Sequence, residues 1–495
     1  MQERRNAMNR EHRRDGTPTF KNFIGGEWLS PADGQFRPDV NPSNGEVIGE
    51  FASSTAKDVS SAVTAADEAR AGWVAISPIA RAEYVAKAAA LLSERIEVVS
   101  RDLTREEGKT IGEARGEALN AVAKLKFAAS EALRLSGETL PNPDLAVHLY
   151  TLREPLGVIA SISPWNFPLS TPAGKVGIAL VTGNTVVMKP ASLTPLSAVH
   201  FVQAFADAGL PRGVLNLVTG GGGTVGDAVV TDPRVRGITF TGSTPVGIGI
   251  AQKAAATLSK TQFELGGKNP MVVMEDADLD LAARAAVDGA FLSCGQKCTA
   301  TSRVIVHKDI KKALIEKILE RTAAIKIGDG LDPNSYMGPL VDQRQIETVS
   351  SYVELGQAEG SRLLMGGDKL TGGDYAKGFF MSPAVFDDVE PSMRIAREEI
   401  FGPVLSLLTV SDFGQAIEVA NATEYGLSSA IFTRSLRYAH EFARRIQAGV
   451  VKINGQTPGN AVNAPFGGRK MSGANISLKQ IDFFTELKSV YQRFA

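Results

Sequence analysis

Hydrophobic positions in the first third of the chain follow two different periods. Between Thr55 and Leu135, apolar side chains recur every three or four residues, a spacing typical of amphipathic helices. Thr55 and Asp58 are spaced as an N-terminal capping pair for the first of them. Apolar and polar residues alternate in His148–Glu154, which predicts a strand. The predicted helices after the first one are Ile79–Thr104 and Gly108–Leu135.

Between Gly157 and Gly266, short apolar runs alternate with helical stretches. The predicted strands are Val158–Ile162, Thr185–Met188, Val214–Val218, Gly237–Thr241 and Lys260–Leu265. The predicted helices are Thr171–Leu180, Pro195–Ala208, Thr224–Val230 and Val246–Thr257. Such alternation predicts a parallel sheet covered by helices on both faces, with nucleotides bound at the carboxyl ends of the strands. A second alternating run, Met271 to about Asn454, predicts a second α/β domain, and Gln480–Ala495 predicts a final strand.

Composition describes an ordinary globular protein. Of 495 residues, 43% are hydrophobic and 22% are charged, and the net charge is −1. This balance leaves no basic surface for nucleic acid or a membrane, and no stretch of about 18 apolar residues predicts a membrane span. The N-terminus lacks the apolar core of a signal peptide, so we expect residues 1–18 to form a disordered tail. With two cysteines and hence no disulfide framework, we expect a reducing, cytoplasmic location.

Cys298 and Glu264 are the first candidates for catalysis. Cys298 follows a Gly-Gln turn and precedes two small residues, so its sulfur need not be crowded. No histidine lies nearby in sequence, and a nucleophilic cysteine would therefore need another base, for which Glu264 is the candidate. The alternative is that Cys298 is a small buried hydrophobic residue. Cys294 and Cys298 could share a helix face, but no further ligands flank them at zinc-binding spacing, so no metal site is predicted.

Two glycine turns compete as the dinucleotide site. Gly221, Gly223 and Gly226 form a G-x-G-x-x-G pattern between a strand and a helix, but no clear acidic residue ends the next strand. In the second turn, Gly242 and Ser243 would present N–H groups and a hydroxyl at a helix N-terminus, where a pyrophosphate is stabilised. We favour the second turn, since four consecutive glycines can also make a loose loop.

The stretch Pro164–Pro168, with the sequence PWNFP, follows a predicted buried strand. Trp165 offers a bulky wall, and Asn166 can direct an amide N–H₂ group into a cleft, as a developing oxyanion requires. A packed turn without catalytic function is the alternative. Asp276–Asp280 resembles a metal-binding run but is better interpreted as a helix N-terminal cap.

Taken together, these motifs resemble the aldehyde dehydrogenase superfamily. The resemblance extends from about Asn22 to Val490, with six motifs in the family's order. They are PWNFP at 164–168, FTGSTPVG at 240–247, ELGGKNP at 264–270, GQKCTA at 295–300, EEIFGPV at 398–404 and APFGG at 464–468.

The resemblance implies an α/β fold with two doubly wound parallel-sheet domains and a small β oligomerisation arm. Residues 19–140 and 160–266 would form the dinucleotide-binding domain, and residues 267–455 the catalytic domain with the cysteine. The arm would consist of residues 141–159 and 480–495, and residues 456–479 would be a loop closing the substrate tunnel. Such an arm adds to the sheet of a neighbouring subunit and gives a homodimer or homotetramer.

The resemblance also implies roles for particular residues. Cys298 would attack the aldehyde, Asn166 would hold the oxyanion, Glu264 would activate the water that hydrolyses the thioester, and Lys175 would help to relay protons. The residues expected to bind NAD(P)⁺ are Trp165, Lys189, Ser192, Gly242, Ser243, Gly247, Glu399 and Phe401. Those expected to line the substrate pocket are Phe167, Leu292 and Phe466.

Cofactor preference depends on the segment Lys189–Ser192. Relatives that prefer NAD⁺ often carry a glutamate at the last of these positions, where it binds the adenosine ribose. Ser192 is small and neutral, so it would not repel a 2′-phosphate, and Lys189 could pair with one. We therefore expect NADP⁺ to be accepted at least as well as NAD⁺.

The substrate is the least determined property. The segments around Cys298 and at Leu103–Glu117 resemble dehydrogenases of α-ketoglutaric semialdehyde. Those relatives tend to carry an arginine where this chain has Leu292, and nothing acidic lies between Ser472 and Asp482, so a less charged aliphatic or aromatic aldehyde is the alternative.

Two further functions compete with hydrolytic oxidation of an aldehyde. A CoA-acylating semialdehyde dehydrogenase would lack the general-base glutamate, so Glu264 argues against it. A catalytically silent binding protein would have no need of Cys298, Glu264 and Asn166 together.

Overall fold

The computed structural model describes residues 11–12, 16–474 and 480–494. Most of the predicted disordered tail lies outside the described residues. Within it, Glu11–His12 (β1) pair antiparallel with Pro18–Phe20 (β2), so the prediction of disorder is wrong for these two segments. Among the described residues, no helix combines the length and the apolar character needed to cross a membrane.

The first half of the chain supplies one large sheet and the helices around it. Its further strands are β3 Asn22–Ile24, β4 Glu27–Leu29, β5 Phe36–Val40, β6 Val47–Ala52, β7 Thr139–Leu140, β8 Val147–Pro155, β9 Val158–Ile162, β10 Thr185–Lys189, β11 Leu215–Leu217, β12 Val235–Thr241 and β13 Lys260–Glu264. Its helices are α1 Ala56–Val74, α2 Pro78–Glu94, α3 Ile96–Glu107, α4 Ile111–Ser130, α5 Ser170–Val181, α6 Pro195–Asp207, α7 Asp227–Thr231 and α8 Thr244–Ala254.

The second half repeats this arrangement and then returns to the first domain. Its strands are β14 Asn269–Val273, β15 Thr301–His307, β16 Arg362–Met365, β17 Ala384–Asp387, β18 Val404–Val410, β19 Tyr425–Gly426, β20 Ser428–Phe432, β21 Val450–Ile453, β22 Arg469–Lys470, β23 Gly473–Ala474 and β24 Thr485–Arg493. Its helices are α9 Leu279–Phe291, α10 Lys311–Ala323, α11 Gln343–Ala358, α12 Arg394–Arg397, α13 Phe413–Asn421, α14 Leu436–Arg445 and α15 Ile481–Phe484.

The first sheet has eight strands in the order β23-β13-β12-β9-β10-β11-β3-β4. Its five central strands are parallel, and antiparallel pairs occur at both edges. The sequences VIASI in β9 and TVVMK in β10 are buried along their whole length, as expected for strands covered by helices on both faces. Since the strand order reverses between β9 and its neighbours, their carboxyl ends border a crevice suited to a nucleotide.

The second sheet has seven strands in the order β16-β17-β18-β15-β14-β20-β21, all parallel except for the edge strand β16. Helix α9 begins at Asp278, whose carboxylate accepts a hydrogen bond from the N–H of Leu281, so the acidic run is a cap as predicted. The prediction of two doubly wound α/β domains is confirmed.

A separate three-stranded antiparallel sheet, β24-β8-β7, corresponds to the predicted arm. Strands β8 and β24 pair over nine residues, from Pro155 with Thr485 to Val147 with Arg493. Two predicted boundaries need correction. Residues 158–159 belong to the centre of the large sheet, and Ile481–Phe484 form a short helix with its aromatic side chains buried in the first domain.

Candidate active site

A cleft of about 1060 Å³ lies where the two domains meet, at the carboxyl ends of β9, β10, β12 and β13. Most of the residues predicted from the sequence line this cleft. They are Cys298, Glu264, Asn166, Lys175, Trp165, Lys189, Gly242, Ser243, Glu399, Phe401, Phe167 and Phe466. The loop between β21 and β22 contributes Gly459, Asn460 and Val462 as well.

Three predicted residues do not line the cleft. Ser192 donates its hydroxyl to the carbonyl of Gly220 at 2.9 Å and borders a small neighbouring cavity. Gly247 lies in the first turn of α8, where an added Cβ would come within 2.6 Å of Leu265. Leu292 begins a 3₁₀ turn over Leu292–Gly295. Direct contact of these three residues with a ligand in the cleft is therefore not supported.

Backbone strain positions the cysteine loop. Ser293 and Cys294 both have φ of +54°, a left-handed conformation that costs free energy in residues other than glycine. The turn separates Cys294, which is buried, from Cys298, which is partly exposed, so the two cysteines do not share a helix face. The carbonyl of Cys298 accepts a hydrogen bond of 2.8 Å from the Asn269 side chain. The strained turn and this hydrogen bond together fix Cys298 at the cleft wall.

Electrostatics at Cys298 favour the neutral thiol. Burial raises its pKa to about 12, and the nearby carboxylates Glu399 and Glu264 act in the same direction. The thiolate is the nucleophilic form of cysteine. Attack on a substrate therefore requires that a base remove the proton or that a positive charge approach the sulfur.

Glu264 belongs to a partly buried hydrogen-bonded chain. The hydroxyl of Thr241 donates to the Glu264 carboxylate at 2.8 Å and itself accepts a hydrogen bond from the Lys175 ammonium. Lys175 Nζ also lies 3.5 Å from the same carboxylate oxygen. Burial lowers the pKa of Lys175, whereas Glu264 opposes that shift. Thr241 was not predicted, although its place beside Glu264 at the ends of neighbouring parallel strands was available from the pattern.

Asn166 is held in place from both ends. Its side-chain amide donates to the carbonyl of Gln296 at 2.9 Å, and its own carbonyl accepts a hydrogen bond of 2.6 Å from Lys109. An amide carries two N–H donors, so the bond to Gln296 leaves one N–H of Asn166 for a ligand in the cleft.

The lysine under this loop is part of a buried ion pair that the sequence analysis did not identify. Lys109 Nζ lies 2.6 Å from the Glu117 carboxylate and 4.3 Å from the centre of the Phe167 ring. Glu117 also accepts hydrogen bonds from the N–H groups of Leu169 and Ser170, which begin α5. No local sequence motif predicts this ion pair, because its members come together only when α4 packs against α5.

Glu399 and Phe401 shape the opposite wall. Glu399 accepts a hydrogen bond of 2.9 Å from the N–H of Gly267, and a Cβ on Gly266 would come within 2.2 Å of the carboxylate. Burial raises the pKa of Glu399 to about 7. Phe401 has φ of +58° and packs edge-on against Trp165, with ring centres 5.2 Å apart.

The cleft has the features that a dinucleotide requires. Ser243, the N-cap of α8, makes no side-chain capping hydrogen bond, so N–H groups at this helix start remain for an anion. A Cβ added to Gly222 or Gly223 would meet no atom within 4 Å. Gly222, Gly223 and Gly226 line the cleft as well, so both glycine turns border it and the choice of one alone was too narrow. Gly222–Gly226 form a wide helical turn that leads into α7.

Metal ligands do not cluster at this site. Within residues 16–474 and 480–494, no group of three or more His, Cys, Asp or Glu side chains is arranged to hold a metal ion.

Comparison with known proteins identifies the family. The model of the aldehyde dehydrogenase family matches residues 28–490. An α-ketoglutaric semialdehyde dehydrogenase of Bacillus subtilis is 45% identical over 478 residues, which is 96% of this chain and 98% of that protein. An α-ketoglutarate semialdehyde dehydrogenase of Haloferax volcanii is 38% identical, and the match covers 97% of this chain and 100% of that protein.

A solved structure shows the same fold. The betaine aldehyde dehydrogenase of Staphylococcus aureus, crystallised with NAD⁺, superposes with a TM-score of 0.94 at 32% identity over 96% of this chain and 94% of that one. The resemblance found in the motifs is thereby confirmed. The chain belongs to the aldehyde dehydrogenase family and is an NAD(P)⁺-dependent enzyme that oxidises aldehydes.

Proposed function

We propose that this enzyme oxidises α-ketoglutaric semialdehyde to α-ketoglutarate, with Cys298 as nucleophile and Glu264 as the base for hydrolysis. The observation that carries the catalytic assignment is that one cleft brings together a partly exposed thiol, a carboxylate and an amide donor. The semialdehyde dehydrogenases of Bacillus subtilis and Haloferax volcanii support the substrate, since each matches nearly the whole chain.

The first step forms a bond between Cys298 Sγ and the aldehyde carbon. The thiol gives its proton to the Glu264 carboxylate, which passes it to solvent before the hydrolytic step. The carbonyl oxygen becomes an oxyanion that accepts hydrogen bonds from the Asn166 amide and the Cys298 backbone N–H. Gln296 and Lys109 hold Asn166 rigidly, so this donor needs no rearrangement when charge develops.

The second step breaks the C–H bond of the thiohemiacetal and leaves a thioester on Cys298. Bound NAD(P)⁺ supplies the acceptor for the hydride. Glu264 then takes a proton from water, whose oxygen attacks the thioester carbon, and the carboxylic acid leaves as the C–S bond breaks. Glu264 then releases this proton to solvent, and the hydrogen bonds that run from Lys175 through Thr241 to its carboxylate stabilise the ionised form.

The cofactor would be held at both ends of the cleft. Glu399, Phe401 and Trp165, which line the cleft, would contact the nicotinamide half, and Gly242 and Ser243 would contact the pyrophosphate. Lys189 has no carboxylate within 4.0 Å among the described residues, and its ammonium donates to the carbonyl of Pro190. Because burial lowers the pKa of Lys189 to about 8, a 2′-phosphate would provide the counter-charge it lacks. NADP⁺ is therefore expected to serve at least as well as NAD⁺.

The subunit associates with copies of itself as a homodimer or homotetramer. Strand β24 forms one edge of the arm, and Leu487 and Tyr491 on it are 63% and 69% exposed. An edge strand of nine residues with exposed apolar side chains is suited to pairing with another subunit. The location that fits a free catalytic thiol is a reducing one such as the cytoplasm.

An aldehyde panel measured with both cofactors tests this proposal. We expect α-ketoglutaric semialdehyde to give the highest kcat/KM against succinic semialdehyde, glycolaldehyde, pentanal and benzaldehyde. The product should be the free acid whether or not CoA is present. A higher kcat/KM for pentanal or benzaldehyde would overturn the substrate, CoA-dependent thioester release would overturn the role of Glu264, and a hundredfold preference for NAD⁺ would overturn the cofactor preference.

A further inference from the structure

We propose that Lys124 is the residue that binds the carboxylate of the substrate and thereby selects aldehydes that carry an acid group at their far end. This inference rests on the proposed function, because it explains how the cleft accommodates a negatively charged semialdehyde. It names a specificity-determining residue on α4 that none of the sequence motifs contains.

Lys124 lies on the face of α4 that borders the cleft. Gly116, Asn120, Lys124 and Phe127 all line it, at spacings of four, four and three residues that place them on one side of a helix. The ammonium of Lys124 donates to the carbonyl of Ser170 at 2.9 Å. The helix thus presents a charged group, an amide and an aromatic ring to the same wall of the cleft.

The charge on Lys124 lacks an acidic partner. Among the described residues, no carboxylate oxygen lies within 4.0 Å of its Nζ. A partly buried ammonium with one neutral hydrogen-bond acceptor is stabilised when an anion binds beside it. Burial accordingly lowers the pKa of Lys124.

The other lysines of the cleft are engaged elsewhere. Lys175 lies 3.5 Å from Glu264, and Lys253 lies 2.5 Å from Asp227. Lys189 packs near Gly226, beside the glycine turn assigned to the cofactor. Lys124 is within electrostatic range of both Glu264 and Cys298, as their effects on its pKa indicate. It is therefore the cation placed to meet the distal end of an aldehyde held at the thiol.

A glycine on the neighbouring helix makes room for this side chain. A Cβ on Gly174 would come within 3.3 Å of Lys124 Cδ and 3.9 Å of its Nζ. Gly174 also lines the cleft, so a larger residue there would compete with Lys124 for the same space. Residue 174 thus permits the long lysine to lie along the wall with its charge at the cleft surface.

This placement changes the expectation drawn from Leu292. The absence of an arginine at that position favoured an uncharged substrate, but Leu292 does not line the cleft. Lys124, on α4, would pair with the substrate carboxylate from another wall of the cleft, as that arginine would have done. It also disfavours aldehydes with a quaternary ammonium, because like charges would meet in a desolvated site.

Steady-state kinetics of Lys124→Met test the assignment. We expect KM for α-ketoglutaric semialdehyde to rise roughly 10- to 100-fold, because a charge-assisted hydrogen bond is lost, while kcat/KM for pentanal stays within about twofold. Lys124→Arg should keep most of the preference for the acid. Lys126→Met is the matched control, since Lys126 is an exposed lysine on the same helix and should behave as the wild type.

A second measurement separates this inference from the proposed substrate. Inhibition by α-ketoglutarate is measured against whichever aldehyde the wild type oxidises best, so it reports on carboxylate binding even if that aldehyde is neutral. Inhibition that weakens at least tenfold in Lys124→Met, with unchanged KM for the cofactor, supports the role of Lys124. Equal inhibition of the variant and the wild type overturns it. A wild type that prefers pentanal overturns the proposed substrate instead.

Discussion

At the scale of single residues, the site combines groups that raise and lower one another's proton affinity. Cys298 lies near Glu264 and Glu399, two acids that make its thiolate costly, while Lys175 is buried beside Glu264. In the proposed mechanism, attack by Cys298 removes this conflict, because the negative charge would pass from the sulfur to an oxyanion that faces the Asn166 amide. The resting enzyme thus keeps a thiol that is protected from indiscriminate reaction.

Alkylation of the free enzyme measures this protection. Because the pKa of Cys298 is raised to about 12, the thiolate fraction should grow about tenfold with each pH unit. We expect the rate of inactivation by iodoacetamide to rise in this way from pH 7 to pH 10 without levelling off. Cys294→Ser should leave the profile unchanged, since Cys294 is buried, whereas Cys298→Ser should abolish the reaction. A plateau below pH 9 would show that a base or cation already ionises Cys298.

At the scale of secondary structure, the hydrophobic pattern predicted the central elements well. Strand β9 has the predicted bounds, and Thr55 with Asp58 forms the expected capping box of α1. The predicted helix Ile79–Thr104 is in fact two helices, which meet at Arg95. Both carry apolar residues at helical spacing, so periodicity alone could not reveal the bend.

The buried polar groups between elements were beyond the reach of the pattern. Glu107, Lys109 and Glu117 lie within 11 positions of largely helical sequence, where charged residues normally face water. All three are buried where α3 and α4 meet, and Lys109 reaches the loop that holds Asn166. The position of Lys124 could not be predicted for the same reason. Tertiary packing determines that Lys124 of α4 faces the cleft while Lys126 is exposed.

Glu107 gives this cluster a measurable dependence on pH. Burial raises its pKa to about 8, and one carboxylate oxygen has no hydrogen-bond partner among the described residues. The pKa of Glu107 is higher in the folded state than in the unfolded chain. Its contribution to the free energy of unfolding is therefore fully present below about pH 4 and is lost as pH rises through about 8. Glu107→Gln stays neutral at every pH. We expect the difference between its Tm and that of the wild type to shift in favour of the variant by at least about 2 °C from pH 5 to pH 8.5.

The control for this measurement is Glu97→Gln. Glu97 is exposed and pairs with Arg115 at the surface, where an ion pair contributes little to stability. Its Tm difference from the wild type should stay constant over the same range. A constant difference for Glu107→Gln as well would mean that Glu107 is ionised in the fold at all these pH values.

At the scale of the whole molecule, the two α/β domains supply opposite walls of one cleft, and the arm lies apart from both large sheets. The alternating pattern of the arm predicted its strands, because β8 and β24 are each amphipathic. It could not predict what covers them. Leu487 and Tyr491 face outward from β24 in this single chain, and burial of such side chains against a second subunit would stabilise an assembly.

The mass of the enzyme in solution tests whether this edge is an interface. Leu487 and Tyr491 lie on the same face of β24, since they are four residues apart in a strand. We expect light scattering to give the mass of a dimer or tetramer for the wild type, and a smaller species for the double variant Leu487→Asp, Tyr491→Asp, because two desolvated carboxylates would oppose association. Gln492→Asp, on the other face of the strand, should keep the wild-type mass. No residue of β24 lines the cleft, so the dissociated variant should retain cofactor binding. An unchanged mass in the double variant would place the interface elsewhere on the surface.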